Sequence, residues 1–225
     1  MNKKKPAPRR APKKVSPPEK AKIRQLPTGV RGLDEIMGGG LPEFSFNIVA
    51  GAPGCGKTTL AHQIIFANST PEKPALYFTV LGEPALKMLR YQQQYSFFDP
   101  AKLGTAVRFI NLSQMVLEHD LAGVLAEIER EVAAATPSLV VVDSFRPVVR
   151  KALGSEGEME LHSFIQRLAL LLTSWEATTF LIGEYTDVEM RDNPVFTVAD
   201  GLFWLTQNVE RNSVVRKLQI MKLRG

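Results

Sequence analysis

The 225-residue chain has a single cysteine, Cys55, so no internal disulfide can form. It has no apolar run near the roughly 18 residues that a membrane-spanning helix needs. No apolar stretch follows the N-terminal charges, as one does in a secretory signal peptide. These absences fit a reducing cytoplasm, the location expected here. The three histidines, His62, His119 and His162, lack metal-ligand spacing, and no internal repeat is visible. Acid is nearly missing from residues 1–25, which hold ten Lys or Arg against Glu19 alone. The pI near 9.3 therefore belongs to this arm, and the remaining residues are mildly acidic. That balance argues against a nucleic-acid-binding face spread over the domain.

With 44% hydrophobic and 23% charged residues the composition is globular. Residues 1–25, rich in Lys, Arg, Pro and Ala, read as a disordered basic tail. Such a tail either makes weak electrostatic contacts with nucleic acid, anionic lipid or an acidic partner, or only solubilises the chain. Residues 26–225 read as one folded domain. Near-continuous apolar runs at Ser45–Ala50, Ala75–Val80, Val107–Leu112, Leu139–Asp143 and Thr178–Gly183 predict buried parallel strands. Helical spacing over Lys57–Ala67, Pro84–Gln94, Leu117–Ala135 and Gly157–Trp175 predicts the helices between them. The alternation indicates an α/β fold, mainly a parallel sheet with helices on both faces. Gly201–Gln207 and Val214–Lys222, joined by Asn208–Ser213, predict a C-terminal β-hairpin extension.

Gly51-Ala52-Pro53-Gly54-Cys55-Gly56-Lys57-Thr58 matches G-x-x-x-x-G-K-[ST] at every fixed position, between an expected strand and an expected helix. Gly51, Gly54 and Gly56 permit conformations and close approaches that side chains block. The loop's N–H groups then converge on phosphate oxygens at a positive helix N-terminus. Lys57 supplies a cation for the β- and γ-phosphates, and Thr58 supplies a hydroxyl ligand for Mg²⁺. Thr59 follows near the α-phosphate. Cys55 is either redox-sensitive or simply a small residue at a variable position. Leu139–Asp143 is an apolar strand ending in acid, which places Asp143 beside the loop to hold Mg²⁺. Hydrolysis also needs a group that orients water. Glu83 is the candidate, against the alternative of an N-terminal helix charge. Glu184 is the other candidate, as a γ-phosphate sensor or as a plain strand-end carboxylate. ATP and Mg²⁺ are thus the expected cofactors.

The segment from Leu26 to Pro42, with Thr28-Gly29-Val30-Arg31-Gly32-Leu33-Asp34 and the Gly38-Gly39-Gly40 run, resembles the stretch preceding the phosphate loop in KaiC-like ATPases. The loop, the Asp143 strand and the terminal Lys222-Leu223-Arg224-Gly225 follow in matching order, so the resemblance covers residues 26–225. It implies a RecA-like P-loop NTPase core and homo-oligomeric rings, typically hexamers, with nucleotide between neighbours. It also implies that Lys222 and Arg224 reach the neighbour's γ-phosphate. Without the resemblance, these two would read as solvent-facing charges on an edge strand. The sequence departs from the family's tandem glutamates after the second strand: Leu81 and Gly82 fill those positions and Glu83 sits one residue later. KaiC has two such domains, so this chain is either a fragment or a single-domain member. The expected function is a slow regulatory Mg-ATPase with an unidentified protein partner. The alternatives are a RecA/RadA-type DNA-dependent recombination ATPase, or a hydrolysis-deficient assembly module. DNA recognition is not favoured, because Glu184–Pro194 holds four acids and one base.

Overall fold

The computed structural model describes residues 23–80, 85–155, 158–193 and 195–224. Nearly all of the basic tail, Leu81, Gly82, Glu83 and Gly225 lie outside the described residues.

Leu26 and Leu41 bring two short strands together, β1 (Gln25–Leu26) and β2 (Leu41–Pro42), around helix α1 (Leu33–Ile36). Within this loop Asp34 accepts hydrogen bonds from the Thr28 amide and hydroxyl at 2.8 and 2.7 Å. That bond explains the Thr-Gly-x-x-Gly-Leu-Asp pattern: the carboxylate closes the turn, and Thr28 is fully buried by it. The elements that follow are β3 (Phe46–Gly51), α2 (Lys57–Asn68), β4 (Ala75–Thr79), α3 (Ala85–Gln92) and β5 (Val107–Asn111). Next come α4 (Ser113–Glu118), α5 (Leu121–Ala135), β6 (Leu139–Asp143), α6 (Arg146–Ser155), α7 (Glu158–Ser174) and β7 (Thr178–Glu184). Two short helices, α8 (Asp187–Asp192) and α9 (Val195–Val198), lead to β8 (Gly201–Glu210) and β9 (Ser213–Leu223).

Seven strands form one sheet in the order β5-β4-β6-β7-β3-β8-β9, parallel except for the last pair. Both faces are covered, which is why the central strands have no polar alternation. Ile48, Leu76, Val140 and Leu181 pack with α5 and α7 on one face. Val49, Tyr77, Val141 and Phe180 pack with α2 on the other.

The structure departs from the periodicity in three places. The expected helix over Leu117–Ala135 is two helices, because the Asp120 side chain accepts from the Gly123 amide at 2.8 Å and caps a new start. Arg146–Ser155, for which no helix was expected, is helical and buries Val148 and Val149. The hairpin is longer than its apolar pattern, and its loop shrinks to Arg211-Asn212, with φ of 49° and 65°. Two successive positive φ values make the tight turn whose twist matches paired strands.

Candidate nucleotide site

The parallel strands all end at one edge, and the phosphate loop leaves that edge from β3. Gly51 pairs with Glu184 of β7 on one side and Leu205 of β8 on the other. A Cβ on Gly51 would stand 2.0 Å from the Leu205 carbonyl oxygen, so only glycine fits between these strands. Gly56, at φ 102°, turns the chain into α2.

Lys57 is buried and curls over its own loop. Its ammonium donates to the Gly51 and Ala52 carbonyls at 3.0 and 2.8 Å. Thr58 donates its hydroxyl to Asp143 Oδ2 at 2.7 Å. Residues 85 positions apart in the chain are thereby joined at the mouth of the loop. Burial pushes the Asp143 carboxyl up; the Tyr77 and Thr58 hydroxyls and the Lys57 charge oppose this, while Glu184 adds to it. Tyr77 donates to the same Oδ2 at 2.6 Å.

These residues line a cleft of about 720 Å³ that runs from Gly54–Thr59 past Asp143, Ser144 and Glu184 to Gln63 and Tyr95. The Glu184 side chain is exposed into it. Thr58 and Asp143 are hard oxygen donors, which suits a Mg²⁺ ion that keeps several waters and is completed by phosphates. Among the described residues no cluster of three or more His, Cys, Asp or Glu could hold a metal ion. Ala52 and Pro53 face a neighbouring cavity of about 430 Å³ instead. Cys55 is buried in the core beneath the loop, its sulfur 3.7 Å from the Lys57 ammonium.

Lys222 and Arg224 do not join this cleft. Lys222 pairs opposite Leu202, three residues below the Leu205 that flanks Gly51. Three residues are about 10 Å of strand, and β9 lies two strands, roughly another 10 Å, to the side of β3. At that far edge Arg224 meets Asp200 at 3.2 Å, and Lys222 approaches the Thr197 carbonyl at 3.4 Å. Desolvation and the Arg224 charge push the Lys222 amine down, so the two cations do share one location. A bulge at Met221 resets the pairing just before them.

Two cleft residues escaped the sequence reading. Arg216, on β9, arches over the loop: its Cδ lies 3.8 Å from where a Cβ on Gly56 would stand. Only its register opposite Gln207 puts it there. Tyr95 stacks on Phe97 at 5.2 Å and faces the cleft half-exposed. Phe97 and Phe98 pack against Phe66, while Tyr91 faces solvent. Arg146 is held by contacts within the chain. It pairs with Glu189, donates to the Glu184 carbonyl and lies over the Tyr185 ring. Trp204 is core, and Trp175 is 37% exposed. Glu83 lies outside the described residues.

The family model for "ATPase: KaiC" matches residues 26–225. The circadian clock oscillator protein KaiC of Prochlorococcus marinus (strain MIT 9313) is 25% identical over 212 residues, covering 90% of this chain and 42% of that protein. The DNA repair protein RadA of Mycobacterium tuberculosis is 29% identical over 174 residues, covering 76% of this chain and 33% of that protein. The chain therefore spans less than half the length of these relatives. The crystal structure of a KaiC-like protein from Pyrococcus horikoshii OT3 superposes with a TM-score of 0.72 at 25% identity, covering 90% of both chains. The chain belongs to the KaiC ATPase family, with its RecA-like fold.

Proposed function

We propose that this chain is a Mg-ATP-binding regulatory ATPase that assembles into a ring, a hexamer, and hydrolyses ATP slowly at sites shared between neighbours. The observation that carries the reading is the Thr58–Asp143 contact at 2.7 Å beside a buried Lys57 in the large cleft. A triphosphate brought to the loop offers Lys57 better acceptors than its own carbonyls, since charge-assisted bonds are the stronger ones. Thr58 and Asp143 are the residues that would hold Mg²⁺, which neutralises phosphate charge. Thr59, Gln63 and Tyr95 continue the cleft toward the ribose and base. Arg216 adds a cation from the same subunit. Glu83 orients the attacking water, a role resting on its sequence position, and Glu184 faces the γ-phosphate from β7.

Lys222 and Arg224 lie on the wrong edge to serve their own loop, which supports a role at a neighbour's. A cation supplied in trans stabilises charge on the transferring phosphoryl group. Nucleotide-dependent assembly then presents a surface to a regulatory protein partner, and the lone cysteine supports a cytoplasmic setting.

The likeness to RadA favours a second reading, a DNA-linked recombination ATPase. Against it stands the acidic stretch after β7, whose Glu189 is already committed to Arg146 and to capping α8. Light scattering after gel filtration, with and without Mg-ATP, tests the main reading. A hexameric mass that needs ATP and is lost in Lys57→Ala supports it. A monomer under both conditions removes the ring and the trans cations.

A further inference from the structure

We propose that Tyr77 is a positioning residue for the metal-holding carboxylate, acting through Asp143: its hydroxyl grips Oδ2 from the core side and leaves Oδ1 for the cleft. The inference rests on the nucleotide-site reading above.

Two hydroxyls converge on one oxygen. Thr58 donates to Asp143 Oδ2 at 2.7 Å and Tyr77 at 2.6 Å. Among the described residues no hydrogen bond reaches Oδ1. The two donors differ in how they are held. Thr58 is partly exposed and lies in the first turn of α2, facing the cleft. Tyr77 is completely buried and belongs to the sheet. It pairs in register with Val141, two residues before Asp143 on β6, so Tyr77, Val141 and Asp143 share the face toward α2.

The phenol is clamped. His62 of α2 packs against its ring with centroids 4.7 Å apart, and Phe109 of β5 does so at 5.1 Å. The Gln92 carboxamide faces His62 without closing a well-formed hydrogen bond, and both imidazole nitrogens lack partners among the described residues. Burial pushes that imidazole down to about 4, so it packs as a neutral ring. The ring of Tyr77 thus serves the core, as a phenylalanine would. Among the described residues its hydroxyl donates to the Asp143 carboxylate, with the Thr58 hydroxyl beside it. Burying that hydroxyl is costly without such a bond, and the bond restrains rotation of the carboxylate about its strand end.

The second buried tyrosine of the carboxyl edge, Tyr185, provides a contrast. It is 3% exposed, but its hydroxyl has no partner among the described residues. Tyr77→Phe and Tyr185→Phe therefore remove the same atom, from a carboxylate in one case and, in the other, from a buried site beneath Arg146 where it has no hydrogen-bond partner among the described residues.

The test uses the full chain and a fluorescent ATP analogue, first in EDTA and then titrated with Mg²⁺. Tyr77→Phe is expected to keep Mg-free affinity within twofold. The Mg²⁺ concentration for half of the metal-linked tightening should rise about tenfold, the scale of one hydrogen bond to a charged group. Tyr185→Phe should match the unaltered chain. Unchanged Mg²⁺ dependence in Tyr77→Phe, with nucleotide bound, would overturn the Tyr77 role alone. No nucleotide binding by the unaltered chain would instead overturn the reading beneath it. Should Tyr77→Phe not fold, 3-fluorotyrosine at position 77 keeps the hydroxyl and still decides the matter. Its fluorine resonance should shift when Mg²⁺ is added to the nucleotide-bound chain, and an unmoved resonance counts against the proposal.

Discussion

At the carboxyl edge of the sheet, charge is packed inward. Lys57 bonds its own loop, and Asp143 accepts from Thr58 and Tyr77. At the amino edge, among the described residues, the Lys222 and Arg224 side chains meet Asp200 and the Thr197 carbonyl, and the Arg224 side chain is 62% exposed. Enclosed charges hold fixed geometry in a low dielectric, whereas exposed ones keep their solvation and are free to meet an outside group. The contrast fits the proposed division of labour, in which the first edge receives the nucleotide and the second offers its cations to a neighbour.

The strongest way to break that contrast is to separate the two edges on different subunits. Arg224→Ala should lower ATP hydrolysis at least 100-fold while leaving nucleotide affinity of isolated subunits within a few-fold, because a trans cation acts on the transition state. Mixing Arg224→Ala with Lys57→Ala subunits should restore measurable turnover, since some interfaces then pair an intact loop with an intact finger. Mixed rings as inactive as either parent would place Arg224 outside the reaction. Lys57→Ala should weaken ATP binding by roughly 100-fold, read by titration with a labelled nucleotide, as expected when a phosphate loses its enclosed cation.

Acid should also distinguish the edges. His62, under the carboxyl edge, has its folded value lowered to about 4 from 6.5. The unfolded chain therefore binds the proton first, so the stabilising effect of neutral His62 is complete above pH 6.5. It is lost progressively as pH falls toward 4. The full difference is about 3 kcal/mol. Urea unfolding across that window should show the loss, and His62→Leu should flatten it. Asp200→Asn, at the solvated edge, should leave that slope in place. The smallest effect is expected of Arg216→Ala: a several-fold rise in the nucleotide dissociation constant, shrinking in high salt because the side chain is exposed. An unchanged constant at low salt would leave Arg216 a bystander over the loop.

Much of this arrangement was legible in the chain. Leu139–Asp143 and Ala75–Thr79 are runs with no polar interruption, and only a doubly covered strand tolerates that. The phosphate loop was legible because its constraints are local: Gly51 and Gly56 answer to backbone geometry within a few residues. Tyr77 was not, since a tyrosine in an apolar run reads as core; its hydroxyl gains meaning only from Asp143, 66 residues away. Arg216 was hidden similarly, one charge among several on an edge strand. The break at Asp120 carried a signal, a capping acid before an apolar run, that the stronger helical period of the flanking residues masked.

The sequence by itself determined the strands, the phosphate loop, the acid at the end of β6 and the order of the family's motifs, because each depends on neighbours close along the chain. Only the tertiary structure decided that Thr58, Tyr77 and Asp143 meet at one oxygen, that Arg216 overhangs the loop, and that Lys222 and Arg224 stand at the opposite edge. Those outcomes depend on strand order and register, which are set by how the whole sheet buries its two faces.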